Sequence, residues 1–141
     1  MKDPNAVARL HVLAVSARLP DWAEAACADY ARRMPRGYEV ARIAVRNDGR
    51  LHAALPRGAR LVALDERGKD FTTTQFSTLL NIETAFVIGG PDGLDEGIKR
   101  QSALLLRVSS LTLAHALAQV VLMEQLYRAA TLLIGHPYHR S

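Results

Sequence analysis

Short apolar runs alternate with longer amphipathic stretches along this chain, and the alternation predicts its elements one after another. Leu10-His11-Val12-Leu13-Ala14-Val15 reads as a buried first strand. Pro20-Asp21 then opens a helix through about Met34, with proline at a first-turn position and an early carboxylate, and Pro35-Arg36-Gly37 ends it. Tyr38 to Val45, rich in β-branched and aromatic residues, predicts a second strand. A link with helical character around Leu51 to Leu55 and the turn Pro56-Arg57-Gly58 lead to a third strand, Arg60 to Leu64.

Further along, Thr72-Thr73-Thr74 supplies N-cap candidates for a helix reaching Leu80, because a threonine oxygen satisfies orphan N–H groups there. Phe86-Val87-Ile88 is the fourth strand, Asp92 to Gln101 a short helix, Ala103 to Val108 the fifth strand and His115 to Ile134 a long final helix. Strands alternating with helices argue for an α/β fold built on a parallel sheet. No repeat, low-complexity tract or long linker divides the chain, so one domain spanning 1–141 is expected, with residues 1–8 a loose N-terminal extension. Apolar positions on the last helix, among them Leu117, Val121, Leu126 and Leu133, exceed one stripe. Both the sheet and a second subunit are therefore expected to cover it, which makes a homodimer the expected assembly.

Composition narrows the function classes. The 18 basic side chains outnumber the 14 acidic ones and give a net charge of +4, which suits a polyanionic partner. Only Lys2, Lys69 and Lys99 are lysines, and arginine's planar fork suits phosphate, although a GC-rich genome produces the same bias. The lone Cys27 excludes a disulfide within the chain, and Met1 to Ala8 carries no signal-peptide pattern, so a cytoplasmic location is expected. Ala114 to Ile134 is long enough to span a bilayer, but Gln119, Glu124, Gln125 and Arg128 interrupt it, and no membrane association is expected.

Two places carry candidate chemistry. Gly89-Gly90-Pro91-Asp92-Gly93 follows a strand, where backbone N–H groups approach ligands at the carboxyl edge of a parallel sheet. It does not fit G-x-G-x-x-G, so an ordinary dinucleotide site is disfavoured. At the other place, Glu124 and Arg128 are four apart on one helical face, either a helix-stabilising ion pair or part of a site with Tyr127 and His115. Tyr138, His139 and Arg140 are suited to stacking on a base, shuttling a proton and holding a phosphate. His136 and His139 lack a third ligand at zinc-like spacing, so no metal is expected. Asp65-Glu66-Arg67-Gly68-Lys69 reads either as a solvated turn or as a pocket rim.

Val87 to Leu94, Leu64 to Lys69, Glu124-Gln125-Leu126-Tyr127-Arg128-Ala129 and His136-Pro137-Tyr138-His139-Arg140 fall in an order that resembles a known family. It is the family of small bacterial SPOUT methyltransferases that modify ring nitrogen 3 of a pseudouridine in 23S rRNA. The resemblance runs from Leu10 to Arg140 and implies a parallel sheet flanked by helices, with a C-terminal deep trefoil knot. It implies S-adenosylmethionine as cofactor, held at Leu64, Gly89, Gly90 and the loop Val108-Ser109-Ser110-Leu111-Thr112-Leu113. Glu124, Arg128, Tyr138, His139 and Arg140 are its implied catalytic and RNA-binding residues, and 23S rRNA, in the ribosome, its implied partner.

Two features depart from the family's pattern. Ala114 and Gln119 stand where proline and arginine are usual around His115, and the segment Arg46 to Arg57 is short. The rival expectation is accordingly a knotted RNA-binding or ribosome-assembly module without turnover.

Overall fold

The computed structural model describes residues 9–140, without the side chains of His139 and Arg140. The expected loose extension over residues 1–8 lies outside the described residues, as does Ser141. Strands β1 (Leu10–Val15), β2 (Val40–Val45), β3 (Arg60–Asp70), β4 (Thr84–Ile88) and β5 (Leu104–Arg107) form one sheet in the order β2-β1-β4-β3-β5. Every pairing is parallel. The helices are α1 (Asp21–Arg33), α2 (Asp48–Ala54), α3 (Thr73–Ser77), α4 (Glu96–Gln101) and α5 (His115–Ile134).

Alternation along the strands divides the core into two layers. Leu10, Val12 and Ala14 of β1, with Val62, Phe86 and Leu106, pack against α1, α3 and α5. Leu13, Ala63, Ala85 and Val87 point the other way, against Leu51 of α2 and Leu94 and Ile98 beside or within α4. A sheet enclosed on both faces reads as near-continuous apolar runs, which is why the strands are legible in the sequence. The helix α5 is long and apolar enough to cross a membrane, yet Leu122, Met123 and Leu126 are wholly enclosed by the protein's own elements. Each such side chain contributes about 1.5–3 kcal/mol of burial. Cys27 is buried in the same layer, and burial pushes its thiol up from the ordinary value.

Three predicted boundaries are corrected. The predicted helix from Asp92 begins only at Glu96, because Gly93 N–H donates to the Gly90 carbonyl at 2.9 Å and Gly93 takes a left-handed φ of 84°, closing a turn first. The predicted helix reaching Leu80 ends as α-helix at Ser77 and continues as a 3-10 turn over Thr78–Asn81. There Arg60 and the Thr84 hydroxyl draw the Leu79 carbonyl away, at 2.6 and 2.9 Å. Its N-cap is Thr72, whose hydroxyl accepts from Gln75 N–H while the Gln75 side chain accepts from Thr72 N–H, a reciprocal capping box.

The third correction concerns the strand expected to end at Leu64. The strand β3 continues to Asp70, with a register break: Leu106 of β5 pairs first with Leu64 and again with Lys69. Residues 65–68 are thereby extruded as a bulge. Arg67 N–H donating to Asp65 Oδ1 at 2.7 Å turns the chain, and Asp70 accepts from Arg107 Nε at 2.7 Å where pairing resumes. Gly68 is needed for the close approach, since a Cβ there would lie 2.6 Å from the Leu105 carbonyl carbon. Gly68→Ala should therefore cost about 2–3 kcal/mol, mainly by prising β3 from β5. Urea melts of both proteins, with amide exchange over residues 104–107, provide the check; an unchanged midpoint would be inconsistent with this packing.

Candidate functional site

Parallel pairing places all the strand carboxyl ends along one edge, and the chain leaves that edge in two directions. After β1 it passes to α1 on one face; after β4 it passes to α4 on the other. The strands β1 and β4 are neighbours, so a crevice opens between their ends, the place where open parallel sheets bind ligands. The glycine bend after Ile88 lies in it. A Cβ on Gly89 would sit 2.5 Å from backbone atoms of Gly93 and Leu94, and one on Gly90 would sit 3.2 Å from Val15 at the end of β1.

Around this bend is a cavity of about 680 Å³. Its walls include Leu64, Gly89 and Gly90, all expected at a cofactor site, and Val108, Ser109, Leu111, Thr112 and Leu113 from the loop after β5. Ser110 of that loop is exposed and does not line the cavity. Asp65, Glu66 and Arg67 of the bulge form a wall, so this segment is a cavity rim and not merely a solvated turn. The carboxylates Asp65, Glu66, Asp92 and Glu96 face the cations Arg67, Lys99 and Arg107, leaving a cavity without net positive charge.

The feature that sequence reasoning missed is the Asp65–Lys99 pair, 2.9 Å apart, with Asp65 only 12% exposed. It ties the bulge to α4. Burial opposes ionisation of Asp65, but the Arg67 amide and the Lys99 ammonium overcome it and hold the carboxyl below its usual range. Thirty-four positions separate the two residues, and no local periodicity joins them. Lys99 is raised, first by its hydrogen bond to Asp65.

At the start of α5, His115 also lines the cavity, and Gln119 Nε2 is 2.9 Å from His115 Nε2. An amide nitrogen donates, so the imidazole Nε2 accepts and the ring is neutral; burial pushes it toward the same state by lowering its pKa. Gln119 is buried, so the position where an arginine was expected carries an uncharged donor fitted to its neighbour.

The remaining expected residues gather elsewhere. Glu124 binds Arg128 through Nε at 3.0 Å and accepts from the Tyr138 hydroxyl at 2.8 Å. Gly135, at φ 77°, caps α5, with its N–H and that of His136 bonded to the carbonyls of Leu132 and Thr131, and the chain turns back. Tyr138 consequently meets Tyr127 edge-on with centroids 4.6 Å apart, under the Arg128 guanidinium at 4.8 Å. Burial first, then hydrogen bonds with Tyr30 and Glu124, hold its phenol strongly protonated. His136 Nδ1 accepts from Tyr138 N–H at 3.1 Å. Glu124, Arg128 and Tyr138 thus form one cluster, but none of them lines the cavity of the same chain. The 20-residue α5, about 30 Å long, lies between its His115 end and this tail. The expected roles of the His139 and Arg140 side chains fall outside what is described.

Among the described residues, no three His, Cys, Asp or Glu side chains gather as a metal site.

Comparison with known proteins adds the following. A family described as "Predicted SPOUT methyltransferase" matches residues 8–139. "Ribosomal RNA large subunit methyltransferase H" of Paraburkholderia phymatum is 46% identical, over 94% of this chain and 99% of that protein. The protein of the same name from Polynucleobacter asymbioticus is 44% identical at the same coverage. Among solved structures, the SpoU methyltransferase AviRb from Streptomyces viridochromogenes, in complex with the cofactor AdoMet, superposes with a TM-score of 0.50 at 16% identity. A second structure of AviRb gives 0.52 at 15%. The match covers 90% of this chain but only 58% and 61% of those chains, and supports the fold alone.

The Asp65–Lys99 pair generates a pH-dependent prediction. Asp65→Asn should lower the unfolding free energy by about 1–2 kcal/mol at pH 7. A carboxyl depressed in the folded state stabilises above its unfolded value of about 4 and loses that effect as pH falls through its lower folded value. Urea melts at pH 7 and pH 3 should therefore show the two proteins converging in acid; a constant gap would mean the carboxylate's charge is not what matters.

Proposed function

The chain belongs to the SPOUT methyltransferase family, and on that premise we propose that it transfers the methyl group of S-adenosylmethionine to ring nitrogen 3 of a pseudouridine in 23S rRNA. The observation that carries this reading is the convergence of Leu64, the Gly89–Gly93 bend and the loop 108–113 on one cavity at the β1/β4 crevice. Relatives named as large-subunit rRNA methyltransferases, matched over 94% of the chain, supply the substrate class.

S-adenosylmethionine, when bound here, would supply an electrophilic methyl group on a sulfonium. Backbone groups of the glycine bend would hold it, and the rim carboxylates would suit its positive charges. Transfer is an in-line displacement, so the chain's work is to align the target nitrogen, exclude water and assist loss of its proton. His115, anchored by Gln119 and held toward its neutral form by burial, offers a ring N–H to stabilise developing charge on a bound group. The loop 108–113, which follows β5, lines the same cavity as the bend after β4, and the trefoil threading of this segment is part of the proposal.

The tail enters through a second copy of the chain. Glu124, Arg128 and Tyr138 lie away from their own cavity, while Leu111 and Leu117 expose apolar surface near it. A homodimer placing one protomer's tail over the other's cavity reconciles the expected catalytic set Glu124, Arg128, Tyr138, His139 and Arg140 with the cofactor set. Tyr138 is then the anchor, and His139 and Arg140 meet the RNA. The protein works in the bacterial cytoplasm, on rRNA within the ribosome.

Light scattering should give twice the 15.5 kDa chain mass. With tritiated S-adenosylmethionine and ribosomes lacking the modification, label should enter 23S rRNA. His139→Ala, which spares the Tyr138 anchor, should cut incorporation at least tenfold, about 1.4 kcal/mol, with cofactor affinity unchanged. Cofactor binding with no incorporation by the natural chain would favour the rival module without turnover.

A further inference from the structure

Several arginines among the described residues are already engaged. Arg42 binds Glu24, Arg32 and Arg33 bind Asp29, Arg107 binds Asp70, Arg128 binds Glu124 and Arg60 is bonded to the Leu79 carbonyl. Arg46 and Arg50 are exposed, and among the described residues neither side chain is paired with a carboxylate; they share this with Arg36, Arg57, Arg67 and Arg100, but only they sit together beside a hollow at the carboxyl end of β2. They flank a hollow of about 440 Å³ floored by Ala44 and Val45 at the carboxyl end of β2.

That position is fixed relative to the cavity. Val45 pairs with Val15, and Val15 is the neighbour of Gly90, so the hollow lies about two strand spacings, roughly 10 Å, from the glycine bend. On the outer face His52 of α2 holds Asp95 at the start of α4, 2.9 Å away, so the helix bearing Arg50 is tied to the helix that follows the bend. Asn47 caps α2 by accepting from Arg50 N–H at 2.9 Å, which sets the backbone between the two arginines. Arg18, after β1, adds a third exposed cation, in loose contact with Asp21 at 3.5 Å. The carboxyl edge is thus divided: on the β4–β3 side four carboxylates outnumber the cations Arg67, Lys99 and Arg107, whereas on the β2–β1 side Arg18, Arg46 and Arg50 outnumber Asp21 and Asp48.

We propose that the Arg46–Arg50 hollow is a phosphate-binding tract for the single-stranded RNA flanking the nucleotide presented at the cavity. The cavity side, without net positive charge, offers a polyphosphate backbone little attraction and suits a cationic cofactor, so the RNA approaches across β2 and β1, with its phosphates on the arginines and a base carried toward the bend. Two exposed guanidinium groups over a shallow floor of small side chains grip the backbone without reading bases. This proposal rests on the rRNA reading above for its partner, but its test does not require turnover.

Binding of a fluorescein-labelled single-stranded RNA of about twenty nucleotides, followed by anisotropy across a salt series, tests it. Arg46→Ala/Arg50→Ala should weaken binding at least fivefold at moderate salt and reduce the slope of log affinity against log salt by about 1.4, the value for two phosphate contacts on a single strand. Arg36→Ala/Arg57→Ala removes two equally unpaired arginines at the amino end of the sheet and should change the slope little. Calorimetric affinity for S-adenosylmethionine should be unchanged in both. No salt-dependent affinity in the natural chain, no effect of the first pair, or an equal effect of the second pair would overturn the proposal. Methyl incorporation failing while the slope change persists would strike the enzymatic reading alone.

Discussion

The pairing of β1 with β4, Leu10 to Ala14 against Thr84 to Ile88, is the contact on which the rest of the structure depends. It joins two strands whose onward chains leave on opposite faces, and so it opens the crevice that the glycine bend occupies. The backbone ladder of that pair survives only because both faces are covered, by α1 and α5 on one side and α4 on the other. Once those layers are in place, the ends of β3 and β5 can bring their own loops to the same crevice, and the cavity results from topology more than from any single side chain.

Its chemistry follows the same logic. Glycine is required at positions 68 and 89 because backbone approaches backbone there, and each close approach positions a wall of the cavity. Charged groups then finish what the backbone outlines. Asp65 and Lys99 lock the bulge to α4, while His115 and Gln119 present a neutral pair at the start of α5. The partly buried Asp65–Lys99 ion pair acts here as a latch.

Much of this was legible in the sequence, for a physical reason. Strands enclosed on both faces are written as uninterrupted apolar runs, and α5 as a twenty-residue stretch bounded by Ala114 and Gly135, so β1 and α5 were placed to the residue. What was not legible depends on long-range pairing. The run from Asp65 to Asp70 is too charged to read as strand, and only its second registration against β5 makes it one. Likewise Glu124 and Arg128 were visible as a helical pair, but not the turn after Gly135 that brings Tyr138 back onto them. The division of the expected site between the start of α5 and the cluster that its second half forms with Tyr138 is a property of the assembled layers and has no local signature.

The length of α5 has a consequence for how this chain can vary. Its first residue faces the cavity and its last turn aims the tail, while Leu122, Met123, Leu126, Ala129 and Ala130 between them are locked into the core. Inserting one residue would swing His115 by about 100° relative to Glu124 and move it about 1.5 Å along the axis. Additions and deletions are therefore driven out of this helix and into surface connections such as 46–57, where only two short elements need to be rejoined. The long helix behaves as a gauge between two workplaces, and lineages of this fold should differ in their connections far more readily than in its twenty residues.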